Sequence, residues 1–147
     1  MEKLSRRSFL AASLIGAYSG IIMQCALAWS DEPQFKWSEA WAIPLIVAVY
    51  GFLALPFVSL GLLLFGVPAA RALHAQRDQW WIGLVAGVVG AVAGKLVFYA
   101  IDHLLFFGYY RLWEVGRSDL GILYGVPTGL SWWWLQRSRM TALKGGN

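Results

Sequence analysis

Lys95, Tyr99, Asp102 and His103 form the one group of side chains in this sequence whose types and spacing could do chemistry. Separations of four and seven put Lys95, Tyr99 and Asp102 on one stripe of a helix, with His103 beside it. An amine, a phenol, a carboxylate and an imidazole in a row can relay a proton or hold an ion. Ionisable groups inside an apolar segment are functional candidates by default. The plainer reading is structural. Lys95 paired with Asp102, directly or through Tyr99 or a water, is a buried anchor, while Asp102 and His103 end an apolar span at its wet boundary. No further carboxylate, histidine or lysine lies in the other apolar runs to continue a relay.

The elements that position this stripe are set by composition. The 147 residues are 59% hydrophobic and 14% charged, too few charges for the shell of a soluble domain. A helix needs about 20 mostly apolar residues to cross a bilayer core of about 30 Å. Four segments approach that length: 9–29, 41–67, 80–106 and 120–135. The last is short and holds Pro127. The expectation is an all-α integral membrane protein, a single membrane domain over 1–147, with four transmembrane helices and short loops in an antiparallel up-down bundle. Lys95 then lies about 22 Å along the third helix from Trp80, nearer the outer surface.

Charge placement gives the orientation. Lys3, Arg6, Arg7, Arg71, Arg77, Arg137, Arg139 and Lys144 fall on one side of the spans, and Lys36, Arg111 and Arg117 on the other. The positive-inside rule places both termini in the cytoplasm, and the predicted location is a bacterial inner (cytoplasmic) membrane. The nine tryptophans avoid the expected bilayer centre and flank the spans, as indole rings at headgroup depth do. The net charge of +4 accompanies this arrangement, and nucleic acid is not an expected partner. Ser5-Arg6-Arg7-Ser8-Phe9-Leu10 also fits a twin-arginine export signal, with Ala26-Leu27-Ala28 as its cleavage site. The first helix is therefore either a retained span or a cleaved signal. Retention is preferred, because three further spans would otherwise have to be inserted after that export.

Packing is legible in the small residues, because lipid offers no hydrophobic drive between helices. Gly121, Gly125 and Gly129 make one groove on the fourth helix, and Gly83/Gly87 with Gly90/Gly94 line a common side of the third. These faces predict a close hairpin of the third and fourth helices, or a homo-oligomer interface. The polar stripe lies more than a quarter-turn away from the glycine side. Pro56 predicts a bend near Phe52 to Pro56, as a structural kink or a hinge. Phe65-Gly66-Val67-Pro68 and Tyr124-Gly125-Val126-Pro127 echo each other, over too few residues to indicate a duplication.

Cys25 is the single cysteine, so neither an intrachain disulfide nor a thiolate metal centre can form. No catalytic set, metal site or cofactor is expected. The aromatic segment Phe106 to Trp113, interleaved with Arg111, Glu114 and Arg117, reads as a surface anchor in the outer headgroup layer or as a contact face for a partner. Immunity proteins of pore-forming bacteriocins share the outline of four spans with cytoplasmic termini, a likeness of architecture without a motif. The function expected is that of a small non-enzymatic, multi-pass inner-membrane protein. It works through helix–helix contacts as an accessory, regulatory or immunity-type partner, with the lipid bilayer and a membrane protein or a second copy as its partners. The alternative is a component of a proton- or ion-coupled transporter or channel using Lys95, Asp102 and His103.

Overall fold

The computed structural model describes residues 6–31, 41–73, 79–105 and 119–144, and is helical over nearly all of them. Helix α1 covers Arg6–Asp31. The second rod is continuous but heterogeneous: α2 over Ala42–Gly61, a π-helical turn over Leu62–Gly66, and α3 over Val67–Ala72. Helices α4 (Trp81–Leu105) and α5 (Leu120–Lys144) complete the chain. Three of the four rods are long and apolar enough to cross a membrane: Arg6–Ala28, Ala42–Ala72 and Trp81–Leu104. Their outward faces carry exposed Leu, Ile, Val and Phe side chains, such as Leu10, Phe52, Leu84 and Val88. A helix with apolar side chains on every side is suited to lipid rather than water.

Several hydroxyl side chains inside these rods turn back on their own backbone, while the buried Ser8 and Ser13 hydroxyls do not. Ser19 Oγ donates to the Ile15 carbonyl at 2.5 Å, Thr128 Oγ1 to that of Tyr124 at 2.6 Å, and Ser131 Oγ to that of Thr128 at 3.0 Å. Such bonds satisfy a polar group without another helix, which matters where no water is at hand. Thr128 follows Pro127, which has no N–H to donate, and α5 runs through that proline to Lys144. The fourth helix thus extends well past Leu135, the end expected from hydropathy, because polar residues continue a helix as readily as apolar ones do.

Pro56 lies inside α2, and the departure from α geometry comes later, at Leu62–Gly66, where Val67 N–H donates to the Leu62 carbonyl five residues back. That wider turn sits directly before Pro68, whose ring would crowd the carbonyl four residues earlier in a regular helix.

Helix α5 is central. It packs most extensively on α4 and next on α1, while α1 also carries α2. The α1–α5 seam is made of small residues at spacing four: Ser8, Ala12, Gly16 and Gly20 are all buried. A Cβ on Gly16 would overlap Thr128, and one on Gly20 would overlap the Tyr124 ring. Beyond them Tyr124 Oη donates to Gln24 Oε1 at 2.7 Å. At the other end of the seam the Phe9 and Trp132 rings meet edge to face at 6.2 Å, beside the buried trio of Ala12, Leu62 and Trp132. Tyr18 covers Gly51 and so joins α1 to α2.

Candidate functional site

The third-helix stripe is divided between two neighbourhoods. Lys95 Nζ donates to Asp119 Oδ1 at 2.9 Å, an ion pair with side chains 27% and 36% exposed. Lys95 thus has an ion-pair partner from outside α4, the residue that precedes α5. The α4–α5 register explains it. Gly90 faces Gly125 and Gly94 faces Gly121, so Lys95 stands level with the first turn of α5. Asp119 also sits at the positive end of the α5 dipole, a favoured place for a carboxylate. Tyr99 and His103 meet one turn apart, Oη to Nε2 at 3.2 Å with rings tilted at 39°. Asp102 is buried to 4% exposure and has a partner, while His103 is exposed. The imidazole lies at the surface of the group.

The predicted glycines divide likewise. A Cβ on Gly90, Gly94, Gly121 or Gly125 would overlap a backbone carbonyl of the facing helix, and one on Gly129 would overlap the carbonyl of Ala86. Gly83 and Gly87 instead meet side chains, Trp133 and Leu130. Close backbone approach is therefore confined to the segment from Ala86 to Gly94. Pro56 is exposed on α2. The aromatic segment from Phe106 to Trp113 lies outside the described residues, as does the export motif's Ser5.

Sequence reasoning missed a larger feature. An apolar cleft of about 290 Å³ lies between the α2–α3 rod and the α4–α5 pair. Gly61, Gly66 and Ala69 form part of one wall, and Val89, Ala93 and Val97 part of the other. It narrows where Gly61 approaches Val97, a Cβ there lying 3.4 Å from the valine methyl. Polar groups gather at one end, where Trp132, Trp133, Gln136 and Arg137 line it. The Arg137 guanidinium sits over the Trp133 ring, 5.4 Å from its centre. The Nε1 groups of Trp132 and Trp133 are buried and have no hydrogen-bond partner. The run of three tryptophans before Gln136-Arg137 was a visible signal, but hydropathy reads it only as the end of a span.

Among the described residues no group of three His, Cys, Asp or Glu side chains is placed to hold a metal ion. Comparison with protein-family models, curated proteins and solved structures finds no match.

Proposed function

We propose that the chain is a four-span protein of a bacterial inner membrane, an antiparallel up-down bundle with both termini cytoplasmic. It acts without catalysis, through helix contacts, as an accessory, regulatory or immunity-type partner of another membrane protein. The observation that carries this reading is the unequal attachment of the helices. Helix α5 is held on two sides through small residues and close backbone approach, whereas the α2–α3 rod packs on α1 and on the α4–α5 pair less extensively than α4 and α5 pack on each other, with the cleft between. A three-helix unit joined through close seams and bearing a long apolar rod suits a protein that presents a surface. The exposed Tyr50, Leu53 and Phe57, on one side of α2, are the face offered to a partner.

Mild-detergent extraction of a C-terminally tagged chain from native membranes tests it. One membrane protein should co-purify in fixed ratio, and Tyr50→Ala with Phe57→Ala should release it without lowering the level of the chain. Recovery of the chain alone from cross-linked and uncross-linked membranes alike would sink the reading. The burial of Asp102 on the helix that also carries the ion-paired Lys95 favours the second reading, a component of an ion- or proton-coupled transporter. Under that reading Lys95→Met abolishes transport-linked activity at normal abundance, and under the first it changes stability only.

A further inference from the structure

The α2–α3 rod is broken twice in its own hydrogen bonding. Pro56 has no N–H, so the Phe52 carbonyl four residues earlier has no backbone donor. The π-turn makes the second break. Val67 N–H reaches back five residues to the Leu62 carbonyl, and the return to α spacing in α3 skips the Leu63 carbonyl. Pro68 follows at once and has no N–H to give the Leu64 carbonyl. Side chains of the rod do not repair these breaks. Ser59 carries the one serine or threonine hydroxyl on it, and such a hydroxyl reaches back three or four residues, to Pro56 or Leu55. Among the described residues no side chain donates to the Phe52, Leu63 or Leu64 carbonyl.

Place and depth then decide what can. The broken turns face outward: Phe52 is 68% exposed, Leu63 and Leu64 are 55% exposed, and Pro56 is exposed, whereas Gly51, Gly61 and Leu62 are buried. The apolar span Ala42–Ala72 has Phe57 at its middle. Phe52 lies about 8 Å from that level on one side and Leu64 about 11 Å on the other, both inside a half-core of about 15 Å. Water does not serve a carbonyl there, and acyl chains carry no donor. A second copy related by a twofold axis along the membrane normal would set acceptor against acceptor at the same depth. What remains is a donor on a neighbouring helix. We propose that the outward flank of the rod, from Phe52 to Leu64, seats a transmembrane helix of another membrane protein. That helix carries hydroxyl or amide side chains whose O–H or N–H groups donate to the Phe52 carbonyl and to the Leu63–Leu64 pair. The two breaks are about 16 Å apart along the rod, so the partner's donors stand about three helical turns apart. The inference rests on the proposed function in needing a partner, and adds what that partner presents beside the Tyr50, Leu53 and Phe57 face.

Two measurements on the full-length tagged chain in native membranes test it. In the first, the photo-reactive residue p-benzoylphenylalanine replaces Leu60, which is exposed between the two breaks, and mass spectrometry maps the adduct formed on irradiation. The expected adduct lies in an apolar helix of another protein that carries Ser, Thr, Asn or Gln side chains about three turns apart. An adduct in a helix without such donors, or in a second copy of this chain, would overturn the proposal. The second measurement gives the N–H groups back. Pro56→Ala and Pro68→Ala each supply a backbone donor, so the partner recovered in mild detergent should fall about three- to tenfold for each, while the chain keeps its level and its Tm rises. Pro44→Ala is the control. It lies in the first turn of α2, where an N–H has no carbonyl to reach, and should leave recovery unchanged. Undiminished recovery with both Pro56→Ala and Pro68→Ala would end this inference and leave the proposed function standing. Adducts with lipid alone, and no protein recovered, would end both. The adduct is read with every proline in place, so it decides the matter even if a proline variant fails to fold.

Discussion

At the residue scale, Lys95 shows what spacing can and cannot say. Periodicity put Lys95, Tyr99, Asp102 and His103 together, and the Tyr99–His103 contact needs nothing beyond one helical turn. The cation's partner depends on which turn of α5 lies beside it, and that register is fixed by glycines on both helices. A carboxylate in a predicted loop therefore reached a lysine in a predicted span. The pair is partly exposed, so its worth is modest. A double-mutant cycle with Lys95→Met and Asp119→Asn should give a coupling of about 1 kcal/mol or less, read from thermal unfolding in detergent. A coupling above about 3 kcal/mol would mean that the pair is desolvated as a buried ion pair is. The Tyr124–Gln24 bond is a second test. Tyr124→Phe removes one interhelical hydrogen bond and should cost about 0.5–1.5 kcal/mol, with the α1–α5 seam loosened first.

At the element scale, small residues at spacing four decide which helices touch. The sequence displays this on α4 and α5, and equally on α1, where Ser8, Ala12, Gly16 and Gly20 have the same spacing. The stripe on α1 carries a weaker signal, because serine and alanine are common in helices and the same residues fit an export signal. Gly125→Leu places a side chain on the Gly90 carbonyl and should lower stability by about 3 kcal/mol or more, seen as lost abundance and a reduced Tm. Gly87→Ala is the contrasting case. Its Cβ would lie 3.5 Å from a Leu130 methyl, an ordinary contact, and it should be neutral to within about 0.5 kcal/mol. Equal damage from both would mean that helicity at these positions matters and the seam does not. The π-turn was beyond sequence reading for a physical reason. Pro56 and Pro68 both disrupt hydrogen bonding, and which one the chain accommodates by widening depends on neighbours from other helices.

At the scale of the whole molecule, apolar composition made the helical class plain, since a bilayer leaves helices or closed barrels as the ways across. Helix arrangement was less plain, because hydropathy ranks α5 as the weakest span while the structure makes it the centre. That centrality bears on the export motif. Helix α1 buries Ala12 and Ala17 completely and covers the Thr128–Trp132 flank of α5. Removing it at Ala26-Leu27-Ala28 would strip that flank. The mature chain should accordingly keep its N-terminal helix, with an intact mass that includes residues 1–28. Gly16→Leu, which overlaps Thr128, should lower the level of the whole protein. A mature mass lacking those residues in a stable protein would overturn this arrangement.

The turn at Leu62–Gly66 has a genetic consequence. A π-turn holds one residue more than the α-helical path it replaces, so deleting Leu63 would restore regular pitch and leave everything beyond it on its present face. Ala69, Ala70 and Leu73 would stay on the cleft, and the local cost would be Pro68 meeting an α-helical carbonyl. A frame-preserving loss of one codon there should thus be better tolerated than the same loss within α2, where no wider turn absorbs it and the rod beyond would rotate by about 100°.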